Sequence, residues 1–169
     1  QEEKYYSKLV SSLTDIGEIE LWLGNYDNSI DYYLSAQKYA NIHSLYYLDI
    51  FSNINIANNY VMKGKVELGI ELLRESYEII QKHHIDSLIS EYDYYRLMYE
   101  YNVSVGFAYY FNNDYDISIK DFINSIESLE KMTEHLKEGS KAYYLRKAVL
   151  SNVMIAYCNL LNGQKKSAH

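Results

Sequence analysis

A chain of 169 residues with 48% apolar and 23% charged side chains has the make-up of an ordinary soluble globular protein, long enough to bury a substantial core. Its net charge of −7, with no basic run longer than Lys165-Lys166, excludes the clustered cations that nucleic-acid binding requires, and no apolar run reaches the length of a membrane span. Proline is absent, and the single cysteine, Cys158, excludes an intramolecular disulfide while leaving the compartment open: cytoplasmic, or extracytoplasmic if a leader preceded Gln1.

Hydrophobic periodicity predicts seven helices in chain order, at 4–23, 27–41, 44–63, 66–84, 89–112, 115–134 and 141–162. Gly24-Asn25, Gly64, Asn112-Asn113 and Asn162-Gly163 mark turns, because Gly and Asn tolerate the left-handed conformation that ends a helix. Asp27 and Asp114 then stand where a helix N-terminus favours a carboxylate. The helices after the first three turns carry apolar stripes: Ile30, Tyr33, Leu34 and Ala36; then Val66, Ile70, Leu73, Tyr77 and Ile80; then Ile119, Phe122, Ile123, Ile126 and Leu129. The polar stretch from Thr133 to Lys141, containing Gly139, reads as a connection between helices.

One spaced block recurs four times. A small residue is followed seven positions later by a turn residue and five positions after that by another small residue: Gly17, Gly24, Ser29; Ala57, Gly64, Gly69; Gly106, Asn113, Ser118; Ala156, Gly163, Ala168. Such recurrence marks helical hairpins stacked as an array. The small residues are expected where the helices of a pair cross, since larger side chains would overpack the contact by about 1–3 kcal/mol. Twelve of the 21 tyrosines form adjacent pairs, among them Tyr5-Tyr6 and Tyr32-Tyr33. Neighbours on a helix diverge by about 100°, so each pair is expected to set one ring in the core and the other at its wet edge.

In these blocks the chain resembles the tetratricopeptide repeat family. Val105-Gly106, Tyr109, Tyr115, Ser118, Phe122 and Ser125 follow the family's order, as do Ile16-Gly17, Gly24, Tyr26, Ser29, Tyr33 and Ala36, and Ile56-Ala57, Tyr60, Gly64, Gly69, Leu73 and Ser76. The resemblance implies an all-α, right-handed α-solenoid of antiparallel helix pairs. About three and a half repeats would form one domain over 1–169, at 4–41, 44–84, 89–134 and, incomplete, 141–169. The small residues recur after 40, 49 and 50 residues rather than the family's usual period of about 34, and the closing proline is missing. Those long periods are similar to the long-helix members of bacterial sensors and regulators. The chain begins at Gln1 rather than Met, and its last repeat has a partner helix only from Lys165, so it is expected to be part of a longer protein.

In the family the first helices line a concave groove that holds a protein or peptide. Carried onto this chain, the groove takes Asp15, Glu18 and Trp22, then Asn55, Asn58 and Met62, then Ser104, Phe107 and Phe111, then Met154 and Tyr157. An asparagine amide hydrogen-bonds both groups of a peptide bond, and the acidic pair at Asp15 and Glu18 argues against an acidic peptide tail. The expected function is a non-catalytic scaffold for a protein or peptide; the alternative is a sensory or regulatory segment of a larger bacterial signalling protein. The apolar face of residues 145–161 suits a homodimer. No catalytic constellation, metal-ligand spacing or phosphate loop is expected. His43, His83, His84, His135 and His169 are scattered and read as exposed helix ends, and Cys158 as a small buried hydrophobe.

Overall fold

Four times among the described residues a helix is closed by the same pair of backbone bonds. The amide of Asn25 donates to the Glu20 carbonyl at 2.9 Å, and that of Gly24 to Leu21. The pattern returns at Leu45 to Ala40, Lys65 to Tyr60 and Asp114 to Tyr109. These are Schellman closures, which need a left-handed residue at the end of the helix. Gly24 and Gly64 supply it at φ +77°, Ser44 at 54° and Asn113 at 63°. Glycine adopts this backbone without steric cost, which is why the turn positions were legible.

The computed structural model describes residues 2–134, 136 and 138–167, and among these the secondary structure is entirely helical. The elements are α1 (Glu2–Trp22), α2 (Tyr26–Ile42), α3 (Tyr46–Met62), α4 (Val66–Lys82), α5 (Ile85–Leu88), α6 (Glu91–Phe111), α7 (Tyr115–Glu134) and α8 (Glu138–Ser167). They form two compact units, Gln1–Ile85 and Asp86–His169. In the first, α1 packs on α2, α2 on α3 and α3 on α4, while α1 and α3 also approach one another. In the second, α6 packs on α7 and α7 on α8.

Two expectations need correction. The eighth helix is the single turn α5, where part of the longer repeat period is accommodated; the rest lengthens α6 and α7 to 21 and 20 residues, against 17 in α2, α3 and α4. The predicted turn at Asn162-Gly163 does not occur. Instead α8 runs 30 residues, through Gly163 and Lys165 to Ser167, and it also takes in Gly139. Ala168, the last small position, lies outside the described residues, as do His135 and His169.

Within the hairpins the small residues sit at the crossings. Ser29 Oγ donates to the Gly17 carbonyl at 2.7 Å, and Ser118 Oγ to the Gly106 carbonyl at 2.8 Å, both buried and each contributing about 1 kcal/mol. A Cβ on Gly17 would meet the Tyr33 ring at 3.1 Å, and one on Gly106 the Phe122 ring at 3.0 Å. The second copy exchanges the roles. Ala57 stands on the first helix and Gly69 on the second, where a Cβ would come within 2.5 Å of Val61 Cγ2 and 3.0 Å of the Ala57 carbonyl. The residue sixteen places after the first small one is Tyr33, Leu73 or Phe122, and all three are fully buried. Leu34, Tyr77 and Ile123, expected in the core, turn outward instead. Among the described tyrosine pairs only Tyr32-Tyr33 divides as expected, with Tyr33 buried and Tyr32 half-buried; both rings are half-buried in Tyr46-Tyr47, Tyr94-Tyr95 and Tyr109-Tyr110, and Tyr5 is exposed beside a half-buried Tyr6.

The histidines at the ends of α2 and α4 are part of the repeat. His43 stacks on Tyr6 with ring centroids 3.6 Å apart, and His83 on Tyr46 at 4.3 Å, both pairs spanning 37 residues. Among the described histidines His84 is exposed as expected, while His43 and His83 are half-buried under these stacks.

Candidate functional site

On α1 the residues Asp15, Glu18 and Trp22 fall three and four places apart and share one stripe. All three are exposed, Trp22 to 82%. The indole Nε1 lies 3.5 Å from Glu18 Oε1, which steers the ring along the stripe rather than into the core. Beneath them Gly17 rests on the Tyr33 ring. Burial, then the carboxylates of Glu18 and Asp15, push the Tyr33 phenol well above its ordinary value, so it stays neutral at any physiological pH.

Forty residues on, Asn55, Asn58 and Met62 hold the equivalent positions on α3. Met62 is exposed and the two asparagines are half-buried. Asn55 Nδ2 donates back to the Phe51 carbonyl at 2.8 Å, which uses one of the two N–H donors of its amide. The Asn58 amide makes no side-chain hydrogen bond among the described residues. α1 and α3 approach one another, so the two stripes stand on neighbouring helices. At one end of the α2–α3 pair an exposed ion pair joins Lys63, just after α3, to Asp27 in the first turn of α2, and the Lys63 ammonium holds the Asp27 carboxyl below its usual range.

Between α2 and α3 lies a buried polar layer that sequence spacing did not single out. Gln37 Nε2 donates to Asn53 Oδ1 at 2.6 Å. Asp49 is only 5% exposed, and one of its carboxylate oxygens has no partner. Burial raises its pKa, against the pull of the Gln37 and Asn41 amides and of His83. Asn59 Oδ1 is likewise buried without a partner. The polar letters at 37, 49 and 53 were the available signal, but only the packing of α2 on α3 brings them together.

In the second unit the expected residues divide. Ser104 does not face outward: it is 4% exposed, and its hydroxyl donates to the Glu100 carbonyl at 2.8 Å. Phe107 is half-buried with its edge on the Phe122 ring at 5.2 Å, so it belongs to the α6–α7 packing. Phe111 is exposed and lies edge-on to Tyr110 at 5.2 Å. From α8, Met154 is half-buried and Tyr157 exposed, with the Tyr157 ring 6.0 Å from Tyr110. Three further links tie α8 to α6. Lys147 Nζ pairs with Glu100 Oε1 at 3.1 Å, the same ammonium lies 5.1 Å from the Tyr99 ring centroid, and the Tyr92 and Tyr144 hydroxyls are 2.9 Å apart. The Tyr144 hydroxyl, then burial, push the Tyr92 phenol up to about 12. Cys158 is buried, 3.4 Å from Ser118 Oγ.

Among the described residues no group of three His, Cys, Asp or Glu side chains is placed to hold a metal ion, and no helix is long and apolar enough to cross a membrane. No protein-family model matches this chain, and no curated protein matches it.

Proposed function

We propose that this chain is a non-catalytic, tetratricopeptide-type repeat scaffold, its helix pairs stacked in a right-handed sense, that holds a protein segment along the α1–α3 surface. The observation that carries the reading is the pairing of two equivalent stripes, Asp15–Glu18–Trp22 and Asn55–Asn58–Met62, on neighbouring first helices. They offer two carboxylates, an exposed indole and thioether, and an amide with unused capacity. That chemistry fits an extended peptide with a basic residue opposite Asp15 and Glu18 and an apolar residue between Trp22 and Met62. An acidic tail would meet like charge. The Ser29–Gly17 crossing beneath the stripe supports the reading by holding α1 in place, so the groups are pre-organised.

Trp22 is the only tryptophan, so its emission reports on this surface directly. Titrating a library of short Lys- and Arg-bearing peptides is expected to give saturable changes in that emission. Asn58→Ala and Asp15→Lys should each weaken binding by about tenfold. Peptides that bind equally well to both variants would remove the α1–α3 surface from the account.

A further inference from the structure

One repeat position breaks the pattern of its counterparts. Eight residues before the small residue stand Leu9, Met98 and Ala148 in three copies, and Asp49 in the second. The three apolar residues are half-buried, and the aspartate is the one that is buried. Ala148 shows that this place packs without a charge: with Tyr144 it lies against Tyr99, Leu129 and Met132. The surroundings of Asp49 are also its own. Gln37 and Asn41 lie one turn apart on α2, eight and twelve residues after Ser29, and the residues so placed after Ser118 on α7 are Ile126 and Glu130.

At one end of the α2–α3 contact Ile30, Tyr33, Ile56 and Tyr60 pack together; at the other, Gln37 and Asn41 face Asn53 and Asp49. One Asp49 oxygen is buried there without a hydrogen-bond partner. The carboxyl is reached by the Gln37 and Asn41 amides from α2, and it feels the His83 imidazole from the end of α4, which stacks on Tyr46. No described residue of α1 bears on it, and His43 is engaged with Tyr6. The first turn of α3 favours a negative charge, as do the two amides and the imidazole. Burial outweighs them all, so the carboxyl binds its proton more tightly than a free aspartate does. Stability from such a group is complete below 3.8 and is lost as pH rises through the raised folded value. A packed junction is as stable or more so when an apolar side chain replaces a buried charge, and three copies of the repeat have that side chain. The charge therefore serves something other than packing.

We infer that Asp49 is a proton-operated clamp on the α2–α3 junction: with the carboxyl protonated the layer closes, and with it ionised the uncompensated charge loosens α3 from α2. The clamp works whether or not the α1–α3 surface holds a peptide, so the two readings stand or fall separately.

Hydrogen exchange of the full chain, corrected for the intrinsic effect of pH, reads this junction peptide by peptide. Protection of the amides over 46–62 is expected to rise several-fold between about pH 7.5 and about pH 5. Asp49→Asn should hold the acid level at every pH, and Asp49→Ala, which copies Ala148, should likewise show no response. His83→Gln should move the response to higher pH, because the imidazole favours the carboxylate. Carbon-13 titration of the Asp49 carboxyl in the unmodified chain needs no variant to fold, and its midpoint is expected above 3.8. A midpoint at or below 3.8 overturns the inference. So does protection over 46–62 that follows pH equally in Asp49→Asn and the unmodified chain. A response abolished by His83→Gln with Asp49 in place would put the proton on the imidazole and overturn it too.

Discussion

Gly106→Leu should unfold the second unit at a clearly lower temperature. Even a Cβ at this site would lie 3.0 Å from three atoms of the fully buried Phe122 ring, so the rest of a leucine side chain has nowhere to go without parting α6 from α7. Overpacking of this kind costs about 1–3 kcal/mol, and a closed crossing against an aromatic ring belongs at the upper end. Parting the helices also stretches the 2.8 Å bond from Ser118 to the Gly106 carbonyl, worth about 1 kcal/mol. Replacing glycine inside a helix returns about 0.8 kcal/mol. The net loss is about 2–3 kcal/mol, which shifts Tm by at least about 5 °C for a chain of this size. Asn113→Gly is the control: Asn113 sits at φ 63°, which glycine adopts freely, and the bond lost from the Tyr115 hydroxyl is exposed. A third variant asks whether volume is the cause. Gly106→Ala combined with Phe122→Leu recreates the alanine and leucine that the second copy uses at 57 and 73, so it should lose less than the two single changes added together. Thermal melts followed by circular dichroism read all of these. Equal melts for Gly106→Leu and Asn113→Gly, or simple additivity in the double variant, would refute the crossing argument.

Two other changes separate local chemistry from packing. Burial holds the Asp121 carboxyl at about 6 rather than 3.8, against Lys120 and Asn124, which pull it down. The folded state therefore binds this proton more tightly than the unfolded state, and stability falls as pH rises from about 4 to about 6, then levels. The shift corresponds to about 3 kcal/mol at most, and solvent around a half-buried side chain reduces it to about 1 kcal/mol. Asp121→Asn should raise Tm near neutral pH and flatten that slope; an unchanged pH profile would show that another group sets it. Gly163→Ala should stabilise by about 0.5–1 kcal/mol, because the residue lies inside α8 and a Cβ there meets nothing within 4 Å. A lower Tm would mean that Gly163 closes a helix with left-handed backbone, as Gly24 and Gly64 do.

The contrast between Gly64 and Gly163 shows what spacing encodes and what it does not. Both follow a small residue by seven places, yet one ends a helix and the other is passed through. A Schellman turn is secured when the chain beyond it drops an apolar side chain back onto the preceding helix. Tyr26, Val66 and Tyr115 stand nine places after the small residue in the first three copies, and Lys165 stands there in the fourth. The glycine permits a turn but does not by itself impose one. Helix limits and crossings were legible because both depend on such local pieces. The candidate surface was less so. Asp15, Asn55, Ser104 and Met154 occupy one repeat position, yet they range from exposed through half-buried to buried. Exposure at that position depends on what lies beside the helix in space, and Ser104 tolerates burial because its hydroxyl is satisfied by its own helix, at the Glu100 carbonyl. A longer polar side chain there would need room and a partner. Repeat grammar therefore locates the stripe that faces out on α1, where Trp22 stands clear, and only the packed structure tells which later copies of that stripe remain open.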